Sequence, residues 1–219
     1  MREPPTSPPP RVTGRPAATC SAAQDGYIAL WRFVVRVQRA TLALSSLWIS
    51  LNNSSSGGAA AAASLANAQA WHVLRIHVHE LRFFVSGLTA HFIAHVCEGC
   101  WSELRAAVDA ASSPTELRRA HDAYLDTSMR HCLLHPEGAA AASLLNGVLA
   151  LALTLHRELC HELDAPRQRE RGAAAHASGA SWAALVDASR RQFAMLMDGL
   201  RAQPLAPRAL VHDGVWALA

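Results

Sequence analysis

The chain reads as all-α, a bundle of about six helices. Three observations carry that. No useful length of period-two alternation occurs anywhere in the 219 residues. Apolar residues recur instead at spacings of three and four. Much of the 51% hydrophobic content is alanine, the best helix former, whose small side chain favours closely packed helices.

Residues 1–24 contain six prolines together with Ser, Thr and Gly, a composition that cannot build a core and predicts a disordered lead-in. Asp25 is placed as an N-cap for a first helix running from about Tyr27 to Ser50. Leu30, Val34, Val37, Leu44 and Trp48 form one face, and Arg32, Arg36 and Arg39 a basic stripe on another. The run Asn52 to Gly58 reads as a flexible connector.

A long second helix is expected from Leu65 to Cys97. Trp71, Leu74, Val78, Leu81, Val85, Leu88 and Phe92 keep the three-four rhythm, and Gly99 reads as a C-terminal stop. A shorter helix follows over Trp101–Ala111. Ser113-Pro114-Thr115-Glu116 is a helix start, with Ser113 as cap, Pro114 in the first turn and Glu116 three residues after the cap. That helix runs to about Leu134. His135-Pro136-Glu137 breaks the chain before another helix to about Leu163. Ala165 to Gly179 reads as a loop, Trp182 to Leu200 as the last helix, and the residues after Gln203 are left without assignment. The domain reading is therefore 1–24 lead-in, 25–203 helical domain, 204–219 tail.

All 20 basic residues are arginine, scattered along the chain at a net charge of +3, which argues against the dense basic face of a nucleic-acid binder. Five cysteines at irregular spacing do not suggest a disulfide framework, and a reducing, intracellular setting is expected. No apolar stretch follows the N-terminus, so no signal peptide is expected. Gly138 to Leu155 carries no charge over 18 residues, but Ser143, Asn146, Gly147 and four consecutive alanines make it a core helix rather than a membrane span.

The residues with most chemical potential are His91, His95, Cys97 and Cys100, nitrogen and sulfur donors of the kind zinc takes tetrahedrally. On one helix, however, His91 and His95 share a face from which Cys97 points away. A helical zinc-binding regulatory protein using these four residues is the alternative function. His131, Cys132 and His135 form a second local cluster of ligand types. There is no Gly-rich phosphate loop, no nucleophile elbow and no strand to place one on, so no enzyme activity and no cofactor are expected.

Several blocks resemble a known family. Tyr27-Ile-Ala-Leu-Trp-Arg-Phe-Val-Val-Arg-Val-Gln-Arg-Ala with Leu47-Trp48, then His79 to Trp101, then Ala120-His121 followed by Tyr124-Leu125, then Cys132-Leu-Leu, resemble gamma-tubulin complex components in order and spacing. The similarity covers about Tyr27 to Leu163, part of that family's C-terminal domain, and its variable pieces lie closest to the fifth or sixth component. The resemblance implies a scaffold that binds gamma-tubulin and other complex components and supports microtubule nucleation at organising centres or spindle poles, without a cofactor or membrane insertion. Trp48, Phe84, Trp101, Tyr124 and Leu125 are then expected in the core, and His121 as a buried, hydrogen-bonded histidine. Arg32, Arg36 and Arg39 are either a solvated face or a contact for acidic tubulin. The family's domain begins further upstream and its closing Leu-x-Phe-Asn-x-Tyr-Tyr motif is absent here. The first helix is therefore expected to expose apolar surface, and the isolated chain to self-associate.

Overall fold

The computed structural model describes residues 17–54, 65–169 and 179–203. Their regular structure is helical, and no strand occurs among the described residues. The elements are α1 (Ala17–Ser54), α2 (Leu65–Phe92), a π-helical segment (Ile93–Cys100), α3 (Trp101–Ala110), α4 (Pro114–His131), a 3-10 turn (Pro136–Gly138), α5 (Ala139–Arg169) and α6 (Gly179–Arg201).

Four long helices make the core. α1 lies antiparallel to α2: Phe33 meets Phe92, Trp48 meets His79, and Arg75 donates to Asn52 at 2.9 Å. Trp48 is capped by two guanidinium groups, Arg75 and Arg82, whose carbons lie 5.8 and 5.1 Å from its ring. α5 packs on the other flank of α1, and α6 closes the bundle against α5 and α2. Leu44, Leu47, Leu74, Leu81, Val148 and Leu155 are buried between them. Each such side chain contributes about 1.5–3 kcal/mol by leaving water. Gly147 and Gly199 let α5 and α6 approach closely. A β-carbon on Gly147 would sit 2.9 Å from a Leu196 methyl, and one on Gly199 3.1 Å from a Leu144 methyl.

The core faces expected for α1 and α2 are the ones used: Leu30, Val37, Leu44, Leu74, Val78, Leu81, Val85 and Leu88 are buried. Several boundaries differ. α1 begins at Ala17, because Ala17, Ala18, Ala22 and Ala23 favour helix and carry it through Asp25, which is not its cap. Residues 1–16 of the expected lead-in lie outside the described residues, as do 55–64, 170–178 and 204–219. α5 continues to Arg169, so the expected loop from Ala165 starts too early.

Gly99 does not stop a helix. The chain passes from α2 through the π-helical segment into α3 without a break, and Trp101 N–H bonds back to Glu98. Widening the turn absorbs Gly99 into the helix, where a β-carbon would press to 3.3 Å from the Ala94 carbonyl.

The start of α4 is as the sequence implies. Ser113 is extended, its hydroxyl accepts from Glu116 N–H at 3.3 Å, and Pro114 opens the helix. The Glu116 carboxylate reaches back one residue further than in the usual capping box, to the N–H and hydroxyl of Ser112 at 2.8 and 2.9 Å. These bonds hold its pKa below the usual carboxylate range. α4 ends at His131 in a Schellman-type turn: Leu134 N–H bonds to Met129 O and Leu133 takes a left-handed φ of 58°. A glycine would normally serve there. Leu133 is held by burial instead, and Gly138 lets the chain cross over it, its absent β-carbon otherwise 3.2 Å from Leu133 Cα.

Part of Pro114–Cys160 is long and apolar enough to cross a membrane by length and composition. In the bundle the Leu145, Val148, Leu149, Ala152 and Leu155 face of that stretch is buried against other helices.

Candidate interface on the outward face of the first helix

α1 carries apolar residues on two opposite faces. One enters the core. The other bears Ile28, Trp31, Val35, Leu42 and Ile49, all exposed, with Trp31 and Leu42 each 68% accessible. At 3.6 residues per turn these five fall within an arc of about 60°, directly opposite the buried face. A helix apolar on both sides belongs inside a larger packing arrangement, because a helix at the rim of a bundle normally turns polar residues outward. Exposed apolar surface on this helix is as expected from the sequence, but the residues that form it were not named there. The signal was there: Ile28, Val35, Leu42 and Ile49 recur every seventh residue.

Arg32, Arg36 and Arg39 all lie exposed on one shoulder of this seam. Arg36 also donates to the Asn146 side chain of α5 at 2.8 Å, so one of the three guanidinium groups is held in place.

The zinc constellation does not assemble. Among the described residues no group of three or more His, Cys, Asp and Glu side chains is placed to hold a metal ion. Cys97 is exposed and Cys100 buried, on different sides of the π-helical segment. His91 and His95 do meet, at 4.4 Å between ring centres, but their third neighbour is His131 of α4. His95 and His131 stack nearly parallel, 16° apart with 5.1 Å between ring centres. Burial, reinforced by the His95 ring, lowers the pKa of both His91 and His131, while Glu103 pulls His131 the other way. His91 Nε2 is buried without a hydrogen-bond partner. Cys100 and Cys132 are buried near each other. Burial raises both thiols, Cys132 to about 12, so neither is poised as a nucleophile.

One arrangement imitates catalytic chemistry. His77 Nε2 lies 2.8 Å from Ser189 Oγ, and His77 Nδ1 lies 3.4 Å from Glu80 Oε2. The order serine, histidine, carboxylate is that of a hydrolytic triad. Yet His77 is fully buried and Ser189 is 4% exposed. Ser189 also sits mid-helix in α6, where neighbouring amides are committed to helical bonds and cannot form an oxyanion hole. The relay is a polar link between α2 and α6. Beside it opens a cleft of about 500 Å³ edged by Glu80, Asp187, Arg190, Arg191, Asp198 and Arg201, charges of both signs with no net demand for an ion.

Of the aromatic residues expected in the core, Phe84 is buried, Trp48 and Tyr124 are half-buried, and Trp101 is 55% exposed, resting edge-on against Tyr124. Trp101 opens the short α3, which has no fully buried residue and so offers no core to enter. His121 is hydrogen-bonded, to Tyr27 at 2.9 Å, but half-exposed rather than buried, since the α1–α4 contact closes over one side of its ring only.

The family model for the gamma tubulin complex component C-terminal region matches residues 20–206. The chain belongs to that family. The human protein gamma-tubulin complex component 6 is 22% identical over 147 residues, a match covering 67% of this chain and 8% of the human protein. The chain thus spans a small part of the length of that relative.

Proposed function

We propose that this chain is a gamma-tubulin-binding scaffold subunit of a gamma-tubulin complex, contributing to microtubule nucleation at organising centres and spindle poles. It works by presenting helical surface and not by catalysis. The family match over residues 20–206 carries the reading. The exposed apolar seam of α1, with Arg32, Arg36 and Arg39 on its shoulder, supports it, because such a surface suits a protein partner with acidic character. These arginines are the proposed partner contacts, and other complex components are the proposed neighbours. The cytoplasmic microtubule-organising centre is the proposed location.

The test is capture of purified gamma-tubulin by the 219-residue chain, with alpha/beta-tubulin as control. Selective retention of gamma-tubulin is the expected result. No retention by a chain that shows a helical spectrum and a cooperative melt would overturn the proposal.

A further inference from the structure

We propose that the outward face of α1 docks an amphipathic helix whose apolar stripe is flanked by carboxylates. This deepens the scaffold reading, resting on it only for the premise that α1 meets another protein.

The shape of the surface argues for a helix. Ile28, Val35, Leu42 and Ile49 form a seam one side chain wide, and at 1.5 Å per residue it runs about 31 Å. A seven-residue repeat drifts by about 20° per heptad around a straight helix, and a second helix follows that drift by a slight left-handed supercoil. Ile28, Val35 and Ile49 are β-branched and Leu42 is not, all of them side chains that seat as knobs between four residues of a facing helix. Trp31, 68% exposed, widens the N-terminal end with a large aromatic side chain of the kind enriched at interfaces.

The charge argues for acidity. Arg32, Arg36 and Arg39 line one shoulder, and Asp25 is the sole acidic residue in α1. A second copy of this chain is a poor occupant. Parallel pairing of two α1 helices sets the arginine shoulder of one copy against the opposite shoulder of the other, which carries Gln38 and Ser45. Antiparallel pairing that matches Ile28 with Ile49 and Val35 with Leu42 sets Arg39 against Gln38, one residue from the other copy's Arg39. Neither arrangement supplies a carboxylate, and like charges across an interface are penalised. A partner helix with Glu or Asp beside its apolar stripe satisfies seam and shoulder together.

The experiment uses the full chain and two designed, fluorescently labelled heptad peptides with identical leucine and isoleucine seams. One carries glutamate at every flanking position, the other lysine. Anisotropy titration is expected to show the glutamate peptide binding at least tenfold more tightly than the lysine peptide, with the difference shrinking as salt is raised. Leu42→Glu is expected to abolish binding of the glutamate peptide. Arg32→Glu combined with Arg36→Glu and Arg39→Glu is expected to reverse the preference. Both variants must melt like the parent chain, and an Arg32→Glu, Arg39→Glu pair, which spares the Arg36 bond to Asn146, is the second variant if the triple one does not. Equal binding of the two peptides, or binding of neither, overturns the proposal. So does a concentration-dependent dimer that Leu42→Glu dissolves, which assigns the face to a second copy. Binding that requires removal of residues 204–219 overturns it in favour of the chain's own tail. Because the peptides contain no tubulin sequence, failure to capture gamma-tubulin leaves this outcome unaffected.

Discussion

Replacing Ser189 by alanine removes one oxygen atom and is expected to destabilise the bundle by about 2 kcal/mol. His77 is wholly buried and its Nε2 is 2.8 Å from that oxygen. Without it the ring nitrogen keeps no near partner, and the desolvation cost of an orphaned polar group is about 1–3 kcal/mol. The Glu80 contact on the other nitrogen is 3.4 Å long and cannot compensate. His77→Leu in the parent background leaves the small Ser189 hydroxyl orphaned but refills the space with apolar volume, so its cost is expected to be lower, about 1 kcal/mol. The double variant removes both polar groups. It is expected to be more stable than the sum of the single effects predicts, by about 1 kcal/mol or more. Urea unfolding followed by circular dichroism measures all three. For a chain of this size 2 kcal/mol corresponds to roughly 4–8 °C in Tm. A Ser189→Ala variant within 0.5 kcal/mol of the parent, or strict additivity in the double variant, would refute the argument that this bond links α2 to α6. Labelling of Ser189 by a serine-directed fluorophosphonate would refute the parallel claim that the relay is structural and not hydrolytic.

The other predictions concern the α2–α4 end of the bundle. His91 and His131 have folded-state pKa values below the ordinary 6.5, chiefly through burial. Above that value both states are neutral. As pH falls below it, the unfolded chain takes up protons that the folded chain resists, so stability is expected to decline through and below pH 6.5. His91→Gln is expected to flatten that decline in a pH series of urea melts, and an unchanged slope would contradict it. Under native conditions iodoacetamide at pH 8 is expected to alkylate exposed Cys97 well before buried Cys100 and Cys132, as read by peptide mass spectrometry. Gly138→Ala is expected to cost about 1–3 kcal/mol, because the new methyl meets backbone of Leu133 at 3.2–3.4 Å, which cannot rotate away. A neutral thermal melt would count against that contact.

The core was legible because it rests on periodicity. Leu74, Val78, Leu81 and Val85 can face only one way on a helix, and the structure buries that face. The cap at Ser113 was legible because capping is local chemistry. What escaped was whatever a neighbouring helix decides. Gly99 carries a stop signal, yet the π-helical segment runs through it. His131 lies far along the chain from His91 and His95, and only the packing of α4 against the π-helical segment brings the three rings together. The Ser189 link to His77 spans 112 residues and leaves no local trace.

The candidate interface shows the same division from the other side. Arg32, Arg36 and Arg39 could be picked out as a stripe, but their meaning depends on what lies beside them. Had the face beside them been polar, the arginines would be a solvated edge worth little to any partner. The exposed seam of Ile28, Trp31, Val35, Leu42 and Ile49 changes that balance. A partner that buries the seam also strips water from the adjacent guanidinium groups, where a carboxylate gains more than it would at an open surface. Arg36, already positioned by Asn146, surrenders less side-chain freedom on binding than an unrestrained arginine would. Of the three single changes, Arg36→Ala is therefore expected to weaken partner binding most, and a larger loss from Arg32→Ala would show that positioning by α5 is irrelevant to recognition.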